Sequence, residues 1–221
     1  MKHITFEDIK KNKEFQTYIQ KCDELLGVMG YTEHSFIHAG KVSYTADIIL
    51  DNLGYSERER ELAQIAGYIH DIGNMINRID HAQTGAILAF DILTRMGMPP
   101  EEIATIVSSI GNHDEGTGQP VNTVSAALIL ADKSDVRRSR VRNGDFATFD
   151  IHDRVNYAVE DAKVKVNGEK RIILLEMKID INISSLMEYF EIFLNRMMMC
   201  RKAADFLDAK FELVVNGTKL L

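Results

Sequence analysis

The chain is expected to fold mainly as α-helices, a helical bundle followed by a small C-terminal α+β segment. Three observations carry this expectation. Apolar residues recur at helical spacing up to about residue 149, each run is bounded by capping residues, proline or glycine, and no strand is required before residue 160. At 221 residues the chain can bury a sizeable core. A boundary near Asp150 divides it into a helical domain, 1–149, and a small α+β domain, 150–221.

Thr5 with Asp8 is expected to cap a first amphipathic helix that ends near Gly27 or Gly30. His34 to Leu53 reads as a second, stopped by Gly54. Ser56-Glu57-Arg58-Glu59 is a capping box for a third, which carries Leu62, Ala63, Ile65, Ala66 and Ile69 and stops at Gly73. Asp80 caps a fourth helix through Gly97, Pro99 and Pro100 open a fifth that ends before Gly111, and Asn122 or Thr123 starts a sixth. The pattern then changes. Ala162 to Leu175 holds an Asn167-Gly168 turn between β-prone flanks, a hairpin signal. Ser185 with Glu188 is a further capping box, opening a helix to about Leu207, and Phe211 to Val215 reads as a last strand before Asn216-Gly217. Phe190, Phe193, Leu194, Met197, Met198 and Met199 spread over several faces of that last helix, so it packs on the hairpin and retains a face that admits a homodimer contact.

A net charge of −7 argues against binding extended nucleic acid, whose phosphates need clustered lysine and arginine. The stretch Lys133 to Arg142 is nevertheless strongly basic. No apolar run approaches the length of a membrane span, and the N-terminal stretch turns acidic at Glu7 and Asp8 without an apolar signal core. Cys22 and Cys200 lie far apart and read as buried thiols in a reducing compartment, so a cytoplasmic location is expected. His3 and His152 read as surface residues.

The chemistry-bearing residues are His38, the adjacent His70-Asp71 at the end of an apolar helix, His81, His113, and Asp132 inside Ala126 to Asp132. One histidine on a helix is ordinary. Six imidazole and carboxylate groups at helix ends or within apolar helices are costly to bury unless a metal or a partner satisfies them, and mixed ligands of this kind suit a divalent transition ion.

The order His, His-Asp, His, His, Asp on a helical scaffold resembles the HD superfamily of metal-dependent phosphohydrolases, in particular its two-metal branch with additional histidines. The resemblance covers about residues 30 to 145. It rests on His38 with Val42 and Ala46, His70-Asp71-Ile72-Gly73, Asp80-His81 with Gly85, His113 after an apolar helix, and Ala131-Asp132. It implies an HD-type helical bundle around two divalent ions (Mn, Fe, Ni, Zn or Mg). His38, His70, Asp71 and Asp132 would hold the first, and Asp71 would bridge to a second held also by His81 and His113. It further implies cleavage of a phosphate ester or anhydride of a nucleotide or other small phosphorylated metabolite through a metal-bridging hydroxide.

Two departures stand out. The cyclic-dinucleotide branch carries lysine where this chain has Asn74, and a Gly-Tyr-Pro signature where this chain has Gly116-Thr117-Gly118-Gln119-Pro120, which argues against cyclic di-GMP as substrate. Positive charge toward the phosphate would come from Lys133, the preferred candidate, or from Arg78, Arg137 or Arg138. His34 is expected one helical turn before His38, supporting a ligand or touching substrate. Asp114 and Glu115 would orient a ligand imidazole or stay hydrated. The competing class is a metal-stabilised regulatory or scaffolding module that binds a phosphorylated ligand without turnover; an oxygenase built on a mixed-valence iron pair is a more distant third, separable by oxygen consumption.

Overall fold

The structure, a computed structural model, describes residues 3–221; Met1 and Lys2, the start of the N-terminal stretch, lie outside the described residues. The first expected helix is two helices, α1 (Phe6–Lys11) and α2 (Lys13–Val28). The Thr5–Asp8 capping box forms as expected. Asn12 causes the break: it is extended, and its Oδ1 accepts from the backbone N–H groups of Glu14 and Phe15, so it ends α1 and caps α2.

Helix α3 (Phe36–Asn52) begins later than His34, because the Ser35 hydroxyl takes the capping role on Ile37 N–H. His34 therefore precedes the helix rather than lying on its face. Helix α4 (Glu57–Ile69) opens with the expected Ser56–Glu59 box and ends at His70, not Gly73, after which Ile72–Met75 form a 3-10 turn. Gly73 serves a different purpose from helix termination. A Cβ there would lie 1.9 Å from the carbonyl oxygen of His81 and 2.5 Å from the nitrogen of Gly85, so Gly73 lets this turn meet the start of helix α5 (His81–Met96) backbone to backbone. Asp80 occupies the N-terminal cap of α5 with φ 57°, but its side chain makes no capping bond. Gly97 ends α5 in the left-handed conformation, and α6 (Pro100–Gly111) and α7 (Thr123–Ser134) follow, the latter capped by Asn122 on Ser125 N–H.

Helix α7 is the centre of the bundle. Its residues 124–131 are all buried, and it packs against α3, α4 and α6. That explains its low amphipathicity: a helix surrounded by others has no polar face to show.

After Asp150, which caps it, α8 (Ile151–Ala158) leads into β1 (Val159–Asn167) and β2 (Ile172–Ile179), the expected antiparallel hairpin. Helix α9 (Leu186–Phe206) crosses over to β3 (Lys210–Val215), which pairs parallel with β2. A short β4 (Thr218–Lys219), not anticipated from the sequence, folds back on β3 through Asn216 and Gly217, both at positive φ as a two-residue hairpin turn demands. The sheet order is β1-β2-β3-β4. The fold is thus mainly α with a small C-terminal sheet. Helix α9 packs along α7 as well as β3, and β1 touches α3 and α7, so the α+β segment lies directly on the bundle. Among the described residues no helix is long and apolar enough to cross a membrane.

Candidate metal centre

Five elements meet at one point. His38 comes from the first turn of α3, His70 and Asp71 from the end of α4, His81 opens α5, His113 follows α6, and Asp132 lies in the last turn of α7. All four imidazoles are buried. Each is fixed from behind by an oxygen on Nδ1: Asp135 Oδ2 for His38 at 2.8 Å, Gly67 O for His70 at 2.9 Å, Arg78 O for His81 at 3.0 Å, and Ile110 O for His113 at 2.6 Å. Carbonyl and carboxylate oxygens only accept, so each Nδ1 carries a proton and each ring turns its Nε2 toward the centre.

The centre has two halves joined by Asp71. Its Oδ2 lies 3.1 Å from His70 Nε2 and 3.5 Å from His38 Nε2; its Oδ1 lies 3.6 Å from His81 Nε2 and 3.8 Å from His113 Nε2. Asp132 Oδ1 completes the first half, 3.4 Å from His38 Nε2 and 3.6 Å from His70 Nε2. His38, His70 and Asp71 present ligand atoms within 4.8 Å of one another, and so do Asp71, His81 and His113.

The arrangement fits metal on its own physical terms. The Nε2 atoms of His38 and His70 are buried with no hydrogen-bond partner, and those of His81 and His113 lie 3.3 Å apart. A cation in the first half would satisfy the two orphaned nitrogens, and the donor set of the second half fits one as well. Electrostatics agree. Burial works against ionising Asp71 and Asp132, yet His70 beside Asp71 and Lys133 beside Asp132 help hold both carboxyls well below the usual carboxylate range. Burial opposes the charge on His70 as well, but Asp71 and Asp132 raise its pKa to about 10, whereas burial takes His81 down to about 4. The metal-free pocket thus draws positive charge to its first half.

A cavity of about 310 Å³ opens over Asp71 and Asp132. Lys133, Arg78, Arg140 and Arg196 line it. Lys133 Nζ is 2.8 Å from Asp132 Oδ2. Arg78 donates to Asn74 Oδ1 at 3.1 Å, and Asn74 Nδ2 donates in turn to Asp71 Oδ1 at 3.0 Å. Asn74 therefore orients the shared carboxylate and couples it to a guanidinium. His34 lines the cavity too, with Nδ1 on Thr32 O at 2.7 Å and Nε2 3.9 Å from Asp71 Oδ2.

Arg137 and Arg138 are not brought to the cavity. Arg137 bonds Asp135 and Glu33, and Arg138 donates to Tyr157 O and stacks on its ring. Arg140 and Arg196 take their place, and His152, read from sequence as a plain surface residue, lies at the cavity wall with Asp150, Asp153 and Asn156. Glu115 pairs with Arg196 of α9, and Asp114 Oδ1 is 3.8 Å from His81 Nε2.

Residues 35–139, a span holding every residue of the His/Asp cluster, match the family described as HD domain. The match to the HD domain spans just under half of the chain. An uncharacterized protein of Methanocaldococcus jannaschii is 25% identical, over 76% of this chain and 74% of its own length. The crystal structure of a predicted HD superfamily hydrolase from an uncultured Thermotogales bacterium superposes with a TM-score of 0.46 at 22% identity, covering 57% of this chain and 68% of that one. The HD pair itself, His70-Asp71, is the point at which the two halves of the cluster join.

Proposed function

We propose that this HD domain is a two-metal phosphohydrolase that cleaves a phosphate ester or anhydride of a small phosphorylated metabolite, with a nucleotide as the substrate class. The observation that carries the reading is the division of Asp71, one oxygen toward His38 and His70 and the other toward His81 and His113, on the floor of a cavity lined by four cationic side chains. Bound divalent ions supply Lewis acidity and an acidified water at neutral pH. The chain supplies the rest. Lys133, Arg78, Arg140 and Arg196 bind and neutralise phosphoryl oxygens, His34 faces the substrate from the Asp71 side, and the Asn74–Arg78 relay fixes the orientation of Asp71. A cavity of about 310 Å³ favours a small ligand over a polymer.

Residues 1–149 are read as the hydrolase domain and 150–221 as an α+β domain whose α8 and α9 supply one wall of the cavity. Cys22 and Cys200 are buried free thiols whose pKa values burial raises, which suits the cytoplasm.

The test is elemental analysis of the purified protein together with phosphate release from a panel of nucleotides in added manganese. About two ions per chain with turnover supports the reading. Asp71→Ala should lose both ions and activity; retained activity removes the bridging role. Full metal loading without turnover on any nucleotide moves the assignment to a ligand-binding module, and no uptake of any divalent ion overturns the metal site itself.

A further inference from the structure

Helix α9 has two working sides. One faces the bundle and the cavity through Phe193, Arg196, Met197 and Cys200. The other faces solvent and carries Met187, Glu191, Leu194, Met198, Arg201 and Asp205, spaced alternately by four and three residues, so that they form one straight stripe. Met187 is 76% exposed, Leu194 51% and Met198 42%. Beside them an apolar groove of about 230 Å³ runs between α9 and β3, lined by Phe190, Phe211, Leu213 and Leu221 among others. Scattered exposed apolar residues need no explanation, but a stripe continuous with a groove does. The side chains of Glu191, Arg201 and Asp205, the three charges within the stripe, make no ion pair or hydrogen bond among the described residues.

We propose that this face docks on the same face of a second copy, α9 antiparallel to α9, about a two-fold axis midway between Leu194 and Met198. The order acid, apolar, apolar, base carries the inference, because it is its own complement in that arrangement. An axis at that point sets Leu194 opposite Met198 of the partner subunit and Glu191 opposite Arg201 of the partner subunit, with Met187 opposite Asp205 of the partner subunit at the solvent-open ends, and symmetry repeats each pair. Parallel pairing would instead set glutamate on glutamate and arginine on arginine. The self-complementarity also separates a second copy from other occupants. A lipid surface would have to accept the Glu191 and Asp205 carboxylates in the middle and at the end of the stripe, and an unrelated helix would have to carry the same order of charges by coincidence.

Charge reversal on the full-length protein tests this, since Glu191 and Arg201 are exposed and lie outside the metal cavity. Sedimentation velocity should show a dimer. Glu191→Arg and Arg201→Glu should each raise its dissociation constant by about tenfold or more, by placing like charges opposite one another twice. The double variant E191R/R201E should restore wild-type affinity, and Leu194→Asp should give monomer, with the helical circular dichroism of all four unchanged. A monomeric wild type, a dimer indifferent to the single reversals, or a double variant that stays dissociated would each overturn the proposal. None of these readouts depends on metal or on turnover.

Discussion

Asp135 Oδ2 lies 2.8 Å from Nδ1 of His38, and the surroundings of Asp135 keep it charged. Arg137 Nε and Lys41 Nζ lie 3.0 and 3.2 Å from its other oxygen, and Arg140 Nη1 lies 3.7 Å from Oδ2. Burial alone would raise the Asp135 pKa; the His38 hydrogen bond and the nearby arginines hold it far below the carboxylate range instead. Asp135 is thus a positioning residue, fixing the ring and tautomer of His38 so that Nε2 addresses the first half of the centre. Asp135→Ala should weaken metal binding by about 10- to 100-fold, whereas Asp135→Asn, whose amide oxygen still accepts from Nδ1–H, should fall between it and wild type. Competition against a chelator of known affinity measures this. Equal affinity in all three proteins would leave Asp135 a purely structural group.

The cavity cations divide by role. Lys133 and Arg196 face the cavity, and neither belongs to the ligand set. Lys133→Ala and Arg196→Ala should leave metal content unchanged while weakening inhibition by inorganic phosphate by about tenfold each. Because Arg196 is also tied to Glu115, Arg196→Lys should recover only part of the loss, as the planar guanidinium serves two partners. A drop in metal content in either variant would place the residue in the metal support instead.

What could be read from the sequence follows from how local each feature is. The six residues of the His/Asp cluster were legible because each is a polar group at or near the end of an apolar helix, a local anomaly. The break at Asn12 is local too, but the apolar period runs through it and conceals the cap. The supporting groups were not legible, because their partners are distant in the chain. His38 and Asp135 are 97 residues apart, Arg196 and Glu115 are 81 apart, and Arg137 and Glu33 are 104 apart. A run of arginines announces positive charge but not where each one points. Arg137 is consumed by Glu33 and Asp135, while Arg196, isolated in a methionine-rich helix, reaches the cavity. Asn74 looked like a lost lysine; only its contacts with Asp71 and Arg78 show its use.

Gly73 and Gly85 form the crossing that sets His81. A Cβ on Gly73 would lie 1.9 Å from the His81 carbonyl oxygen, and relief requires moving the start of α5, with His81 on it. Gly73→Ala should therefore cost about 3 kcal/mol of stability, the upper end of overpacking, and should empty the His81–His113 half of the centre before the other. Gly85→Ala is the milder comparison, since an added Cβ there would meet the backbone of Gly73 and His70 at 3.2 Å, against 1.9 Å for Gly73→Ala. Chemical denaturation and metal content per chain read both effects; a Gly73→Ala protein with wild-type stability and full metal would show that the crossing is not tight.

Metal and protons compete for the same atoms, which gives the centre a directional pH dependence. In the metal-free protein His70 titrates at about 10, because Asp71 and Asp132 stabilise its charge against the burial that opposes it. A raised histidine pKa means that the folded state binds the proton more tightly than the unfolded one. The stability it confers is fully present below the unfolded value of about 6.5 and is lost as pH rises toward 10. A metal needs the neutral ring, so loading at neutral pH must expel that proton. Apparent metal affinity should accordingly rise with pH by about tenfold per unit for each proton displaced, and level off near pH 10 as His70 gives up its proton unaided. Between about pH 6.5 and 10 the metal-free protein should lose stability, while the loaded protein, in which neither the folded nor the unfolded His70 carries the proton, should stay level with respect to this group. Calorimetric titration in buffers of different ionisation enthalpy counts the protons released. His70→Gln, which carries no titrating group, should release one fewer proton per chain, and an unchanged count would assign the competition to another group.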